Sequence, residues 1–147
     1  LGLDKAVNIQ SIDLFPESCA NLIVCNPPYF EDSLPPPDPR RAEARHNVSL
    51  SYDELFECAA ALLTPKGRLS LIVPARHFAT VTAAARDRKL FLIRKTNVYP
   101  TPHSKVKRHL LEFSKTEREL EENDLVIETS RHCYTSEYKE LTADFYL

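Results

Sequence analysis

Glycine is almost missing: Gly2 and Gly67 are the only two in 147 residues. A loop that cradles phosphate or a nucleotide needs several glycines, so that the backbone can come close to the ligand. No such loop lies within these residues. Methionine is absent altogether. A natural chain begins with Met and this one begins Leu1-Gly2-Leu3, so a fragment or a processed chain is expected. No apolar run approaches the roughly 20 residues of a membrane span. No charged-then-apolar leader marks export. Cys19, Cys25, Cys58 and Cys133 form no CxxC pair and no zinc-type spacing. Reduced thiols in a cytoplasmic protein, with no metal, are the expectation. A formal net charge of −2 excludes a global basic field, so any nucleic acid must be met by a local patch.

What is present fits one soluble domain with a real core: 43% of residues are apolar and 27% charged. The informative stretch is Asn26-Pro27-Pro28-Tyr29-Phe30. It follows Leu22-Ile23-Val24-Cys25, which reads as a short buried strand. Asn26 then falls at the strand's carboxyl end, where open α/β sheets place ligands. Two prolines stiffen the turn, and two aromatic rings come next.

Such a device can hold a flat, hydrogen-bonding ring. The exocyclic amine of adenine is a poor nucleophile because its lone pair is delocalised. Two acceptors aimed at its N–H bonds favour a more tetrahedral nitrogen and free that lone pair. The Asn26 side-chain oxygen and the Pro27 carbonyl can supply them. Tyr29 can stack on the base, worth about 1–3 kcal/mol. A methyl electrophile placed in line would be attacked directly, through positioning and electrostatics alone. A base within folded RNA must first be flipped out or unpaired. A plain strand-ending turn explains Asn and Pro equally well on physical grounds.

Along the rest of the chain, residues 1–14 contain a strand ending near Asp13. Pro35, Pro36, Pro37 and Pro39, then Arg40, Arg41, Arg45 and His46, mark a long loop. Ser51 and Glu54 form a capping box that starts a helix carrying Leu55, Phe56, Ala59, Leu62 and Leu63. Thr64-Pro65-Lys66-Gly67 ends it. A strand over Leu69–Val73, a helix from His77 to about Arg88, and strands over Leu90–Val98 and His109–Phe113 follow. Pro100–Arg108 is a basic loop containing Lys105, Lys107 and Arg108. Lys115–Asp124 reads as a solvated connection, 125–127 as a short strand, and Glu137–Tyr146 as a closing helix. The order predicts an α/β fold with a mostly parallel sheet and an antiparallel hairpin at its edge. His77, His103, His109 and His132 stand isolated and predict no metal site.

Asn26-Pro27-Pro28-Tyr29 matches the [D/N/S]-P-P-[Y/F/W] signature of class I, S-adenosylmethionine-dependent amino methyltransferases. That signature alone leaves adenine-N6, cytosine-N4 and glutamine-N5 enzymes open. Adding Arg41–His46, Leu62–Gly67, Lys107–Phe113 and the Tyr134-Thr135-Ser136-Glu137-Tyr138…Leu141-Thr142…Phe145-Tyr146 pattern, the chain resembles the bacterial tRNA1(Val) (adenine-N6)-methyltransferase family. The resemblance runs over nearly the whole chain.

It implies a Rossmann-like class I methyltransferase fold, of which residues 1–147 are the later part of one catalytic domain. It also implies methylation of the adenine beside the anticodon of a valine tRNA. Asn26, Pro27, Pro28 and Tyr29 are the implied catalytic residues. Asp13 and Asn26 meet the cofactor, S-adenosyl-L-methionine. Phe30, Arg40, Arg41, Arg45, His46, Lys105, Lys107 and Arg108 are the candidate RNA contacts, with solvated loops as the alternative for the basic residues; Arg45 and His46 gain from the resemblance. The family's glycine-rich cofactor turn is absent here, so this chain alone is expected to bind the cofactor poorly. The sheet edge left open predicts a homodimer, further missing sequence or a stable proteolytic remnant. A protein glutamine-N5 methyltransferase and a non-catalytic RNA-binding module are the alternatives.

Overall fold

In the computed structural model, residues 16–27 and 51–145 are described. The first strand, β1, is Ala20–Cys25. Helix α1, Tyr52–Leu62, starts on the expected capping box. Ser51 Oγ accepts the Glu54 N–H at 3.2 Å, and the Glu54 carboxylate accepts the Ser51 N–H at 2.9 Å. These bonds satisfy donors that a helix N-terminus leaves open, which contributes about 1 kcal/mol. The chain then passes directly into β2, Leu63–Pro74. A 3-10 turn over Ala75–His77 leads into α2, Phe78–Asp87. Strands β3, Phe91–Tyr99, and β4, Arg108–Ser114, form a hairpin. The remaining elements are β5, Glu121–Val126, the small pair β6, Glu128–Ser130, and β7, Cys133–Tyr134, and α3, Ser136–Thr142.

The five long strands make one sheet in the order β1-β2-β4-β3-β5. The β1/β2 and β3/β5 pairs are parallel, and β4 is antiparallel to both neighbours. Four strands therefore point one way, as a mostly parallel sheet requires. The returning strand β4 lies inside, between β2 and β3. Helices α1 and α2 bury Leu55, Phe56, Ala59, Val81 and Ala85 against Leu69, Leu71, Val73, Leu111 and Phe113. Period 2 along β2 sends every second residue to this core.

Three expectations need correcting. Leu22–Cys25 is not buried on both faces. Ile23 and Cys25 pack on the core, whereas Leu22 is 59% and Val24 73% exposed. Among the described residues α1 and α2 pack on the core face of the sheet, and Leu22 and Val24 point to the other. Second, Thr64–Gly67 belongs to β2. Ala20 pairs with Leu63 and Leu22 with Arg68, so these turn-type residues form an irregular bulge opposite Asn21. Third, Glu121–Asp124 is strand and not connection. Its charges bind it to β3, with Glu121 to Arg94 at 3.1 Å and Glu122 to Lys95 at 2.8 Å. A charged outer strand of this kind also discourages edge-to-edge association.

Gly67 has a packing reason. A Cβ at this position would lie 2.7 Å from the carbonyl oxygen of Ala20 and 2.9 Å from Leu63 Cδ2. The backbone of β1 cannot withdraw without breaking its pairing with β2. Gly67→Ala is expected to destabilise the protein by about 1–3 kcal/mol, measured by urea unfolding. Equal stability would mean that β1 yields there.

Candidate active site

Parallel strands align their carboxyl ends. Asn26 and Pro27 leave β1 at the edge where Pro74 closes β2 and Tyr99 closes β3. The loop between β3 and β4 starts and ends at this same edge. Helix α1 runs back across the sheet, so its N-terminus also arrives here. The Tyr52 hydroxyl meets His77 Nδ1 at 2.7 Å, with the rings edge to face. This buried bond ties the start of α1 to the turn after β2. The sequence does not link the two: twenty-five positions separate them, and each looks ordinary alone.

Of the expected catalytic residues, Asn26 is exposed and Pro27 is fully buried. The buried ring fixes the backbone that presents the Asn26 amide to solvent. Cys25, one residue earlier, faces the core, and burial pushes its thiol above the usual range. It is held protonated, a packing group and not a nucleophile. Cys19, Cys25, Cys58 and Cys133 are all free. Pro28, Tyr29, Phe30, Asp13, Arg40, Arg41, Arg45 and His46 lie outside the described residues. Asn26 is thus the one described candidate for meeting a cofactor at this edge.

The basic loop between β3 and β4 is well ordered by its backbone. The Lys107 N–H donates to the Val98 carbonyl at 2.9 Å, and the Ala75 N–H donates to the Lys107 carbonyl at 3.1 Å. Thr101 Oγ1 and Ser104 Oγ lie 2.6 Å apart and close a turn. Lys105, Lys107 and Arg108 are all exposed at the carboxyl edge.

Beside this loop, the core face of β3, β4 and β5 holds a polar group. Asn97 Nδ2 donates to Glu122 at 3.0 Å and to Asp124 at 2.9 Å. Lys95 bonds Glu122 and sits over the Phe78 ring, 4.9 Å from its centre. His109 is buried with no hydrogen-bond partner for Nδ1 among the described residues. Burial, and then the Lys95 charge, push its imidazole below the usual range, with Glu122 opposing. A neutral ring suits this apolar setting against Phe78. Among the described residues, no group of His, Cys, Asp or Glu could hold a metal ion. No described helix is long and apolar enough to cross a membrane.

No family model matches the chain. Individual proteins do. The chain is 43% identical over 133 residues to the tRNA1(Val) (adenine(37)-N6)-methyltransferase of Flavobacterium johnsoniae, covering 90% of this chain and 57% of that protein. It is 41% identical over 146 residues to the enzyme of the same name from Flavobacterium psychrophilum, covering 99% and 60%. The counterpart from Bacteroides thetaiotaomicron is 40% identical, covering 94% and 56%.

Solved structures agree on the fold. A protein described as a predicted O-methyltransferase from Agrobacterium tumefaciens superposes with a TM-score of 0.66 at 22% identity, covering 87% of this chain and 53% of that one. A candidate DNA modification methylase from Thermus thermophilus, complexed with S-adenosyl-L-methionine, gives 0.53 at 19% identity, covering 90% and 57%. The fold is the α/β fold of these methyltransferases. The chain is, over nearly its whole length, a relative of the tRNA1(Val) (adenine(37)-N6)-methyltransferases, and it spans a little over half of theirs.

Proposed function

We propose that the protein of which these residues form part transfers a methyl group to N6 of an adenine in tRNA, beside the anticodon of a valine tRNA. The observation that carries this reading is the Asn26-Pro27 start of the Asn-Pro-Pro-Tyr sequence motif at the carboxyl end of β1, in a chain whose relatives bear that name. S-adenosyl-L-methionine supplies an electrophilic methyl group. Asn26 is exposed at the right edge of the sheet to meet both cofactor and base, while Asp13 is the proposed second cofactor contact.

The chain's own residues position and polarise. The Asn26 oxygen and the Pro27 carbonyl accept the two N–H bonds of the target amine. Tyr29 and Phe30 offer stacking surfaces for the flipped base. No proton need leave before attack, so no buried base is required at the carboxyl edge. Arg40, Arg41, Arg45 and His46 on one side, and Lys105, Lys107 and Arg108 on the other, are the proposed phosphate contacts. Residues 1–147 act as the later portion of one cytoplasmic catalytic domain. The face of β1 that α1 and α2 leave uncovered among the described residues, with Leu22 and Val24 exposed, is the surface on which further chain or a second copy would pack.

The competing glutamine-N5 chemistry is separated by substrate. Unmodified tRNA and a Gln-containing protein are offered to the complete protein with labelled cofactor. Label is expected in the tRNA. Label in the protein substrate alone would refute the RNA reading.

A further inference from the structure

One buried polar pair has no part in the chemistry proposed at Asn26. The Tyr52 hydroxyl and His77 Nδ1 lie 2.7 Å apart, and the two residues are only 9% and 7% exposed. A hydrogen bond so deeply buried is electrostatically stronger than one in water. It is also directional, which apolar packing is not.

The pair stands where β1 delivers Asn26. Tyr52 is the first residue of α1, and His77 is the last of the 3-10 turn that follows β2. Cys25 pairs with Leu71, and β2 ends at Pro74. Asn26 therefore leaves β1 about one strand spacing, roughly 5 Å, from the stretch that leads into the His77 turn. Strand alternation puts Ile23 and Cys25 on the face covered by α1 and α2. Carried on by two residues, it puts Pro27 on that covered face and Asn26 on the other. The burial agrees: Pro27 is fully buried and Asn26 exposed. Tyr52 belongs to the core cluster of the covered face, the cluster on which Ile23 and Cys25 pack.

We propose that the Tyr52–His77 hydrogen bond is a clasp that holds the Asn26-Pro27 turn in line for methyl transfer, with both as positioning residues. The proposal rests on the methyltransferase reading above. That turn must aim two acceptors, the Asn26 amide oxygen and the Pro27 carbonyl, at one nitrogen. A displacement of about 1 Å costs on the order of a hundredfold in rate. Pro27 keeps its place only as firmly as the elements that bury it. The clasp sets the approach of α1 to the turn after β2, and so fixes the support beneath the turn that reacts.

The test uses the full-length protein, unmodified tRNA and S-adenosyl-L-methionine. Tyr52→Phe keeps the ring and removes only the hydroxyl. Single-turnover methyl transfer is expected to slow about tenfold, with tRNA and cofactor affinities unchanged. In an Asn26→Ala background the same substitution costs less than about twofold more, because the group it acts through is gone. His77→Asn, whose side-chain amide falls near the place of Nδ1, keeps more of the rate than His77→Leu. Thr82→Val, which removes a hydroxyl bonded to the Phe78 carbonyl on α2, leaves the rate at the wild-type value. Urea unfolding checks that each variant is folded. A folded Tyr52→Phe protein with the wild-type rate overturns the clasp. So does a loss that persists in full in the Asn26→Ala background, or one that lies wholly in tRNA affinity. If Tyr52→Phe does not fold, the two His77 variants decide, and equal rates in them overturn the clasp. A wild-type protein that transfers no methyl group to tRNA defeats the underlying reading instead. The other failures all leave wild-type transfer intact.

Discussion

Asn26→Ala in the full-length protein is expected to lower kcat for methyl transfer by roughly a thousandfold or more, with the fold intact. Asn26 is exposed, and its neighbour Pro27 does the packing. Removing the amide therefore costs little core stability. It does remove an acceptor aimed at the amine, and with it the polarisation that raises nitrogen nucleophilicity. Single preorganised hydrogen-bonding groups are worth about 10²–10³ in rate, and this one also orients the reacting atom. Asn26→Asp should retain more activity, because the carboxylate keeps an acceptor in place. The measurements are single-turnover transfer, tRNA affinity and a thermal melt. Near-wild-type turnover in a folded Asn26→Ala protein would remove the proposed mechanism.

The second large effect concerns the fold. Phe56→Ala is expected to cost about 3–5 kcal/mol. Phe56 is fully buried and packs edge to face on Phe113, with ring centres 5.0 Å apart at 83°. The pair joins α1 to β4, so it holds the helix that carries Tyr52 to the carboxyl edge. Truncation leaves a cavity between rigid strands that cannot collapse onto it. Urea unfolding should show a lower midpoint with an unchanged slope. Phe56→Leu refills most of the volume and should recover most of the loss. A loss under about 1 kcal/mol for Phe56→Ala would mean that α1 does not depend on this contact.

Local signals in the sequence were strong wherever one residue pair decides an element. Ser51 and Glu54 announce α1 because each satisfies a backbone N–H of the other's turn. The apolar runs over β2, β3 and β4 were equally legible. The failures are all pairings at a distance. Thr64–Gly67 carries turn chemistry, yet β1 captures it as a bulge. Glu121–Asp124 has poor strand propensity, yet Arg94, Lys95 and Asn97 on β3 bind it. Propensity yields to cross-strand pairs of this kind.

At the proposed site, Asn26 and Pro27 are legible because the motif is contiguous. The Tyr52–His77 bond is not, since its partners are brought together only by the fold. The exposure of Leu22 and Val24 was missed for the same reason. An apolar run reveals hydrophobicity but not whether a second layer covers it.

The most direct test is where the methyl group goes. The complete protein, S-adenosyl-L-methionine and an unmodified valine tRNA transcript are incubated, and the tRNA is digested to nucleosides for mass spectrometry. N6-methyladenosine is expected, located at the adenine beside the anticodon and absent when Asn26 is replaced by Ala. Methyl groups on cytosine, or none in the RNA under conditions where the protein binds its cofactor, would contradict it.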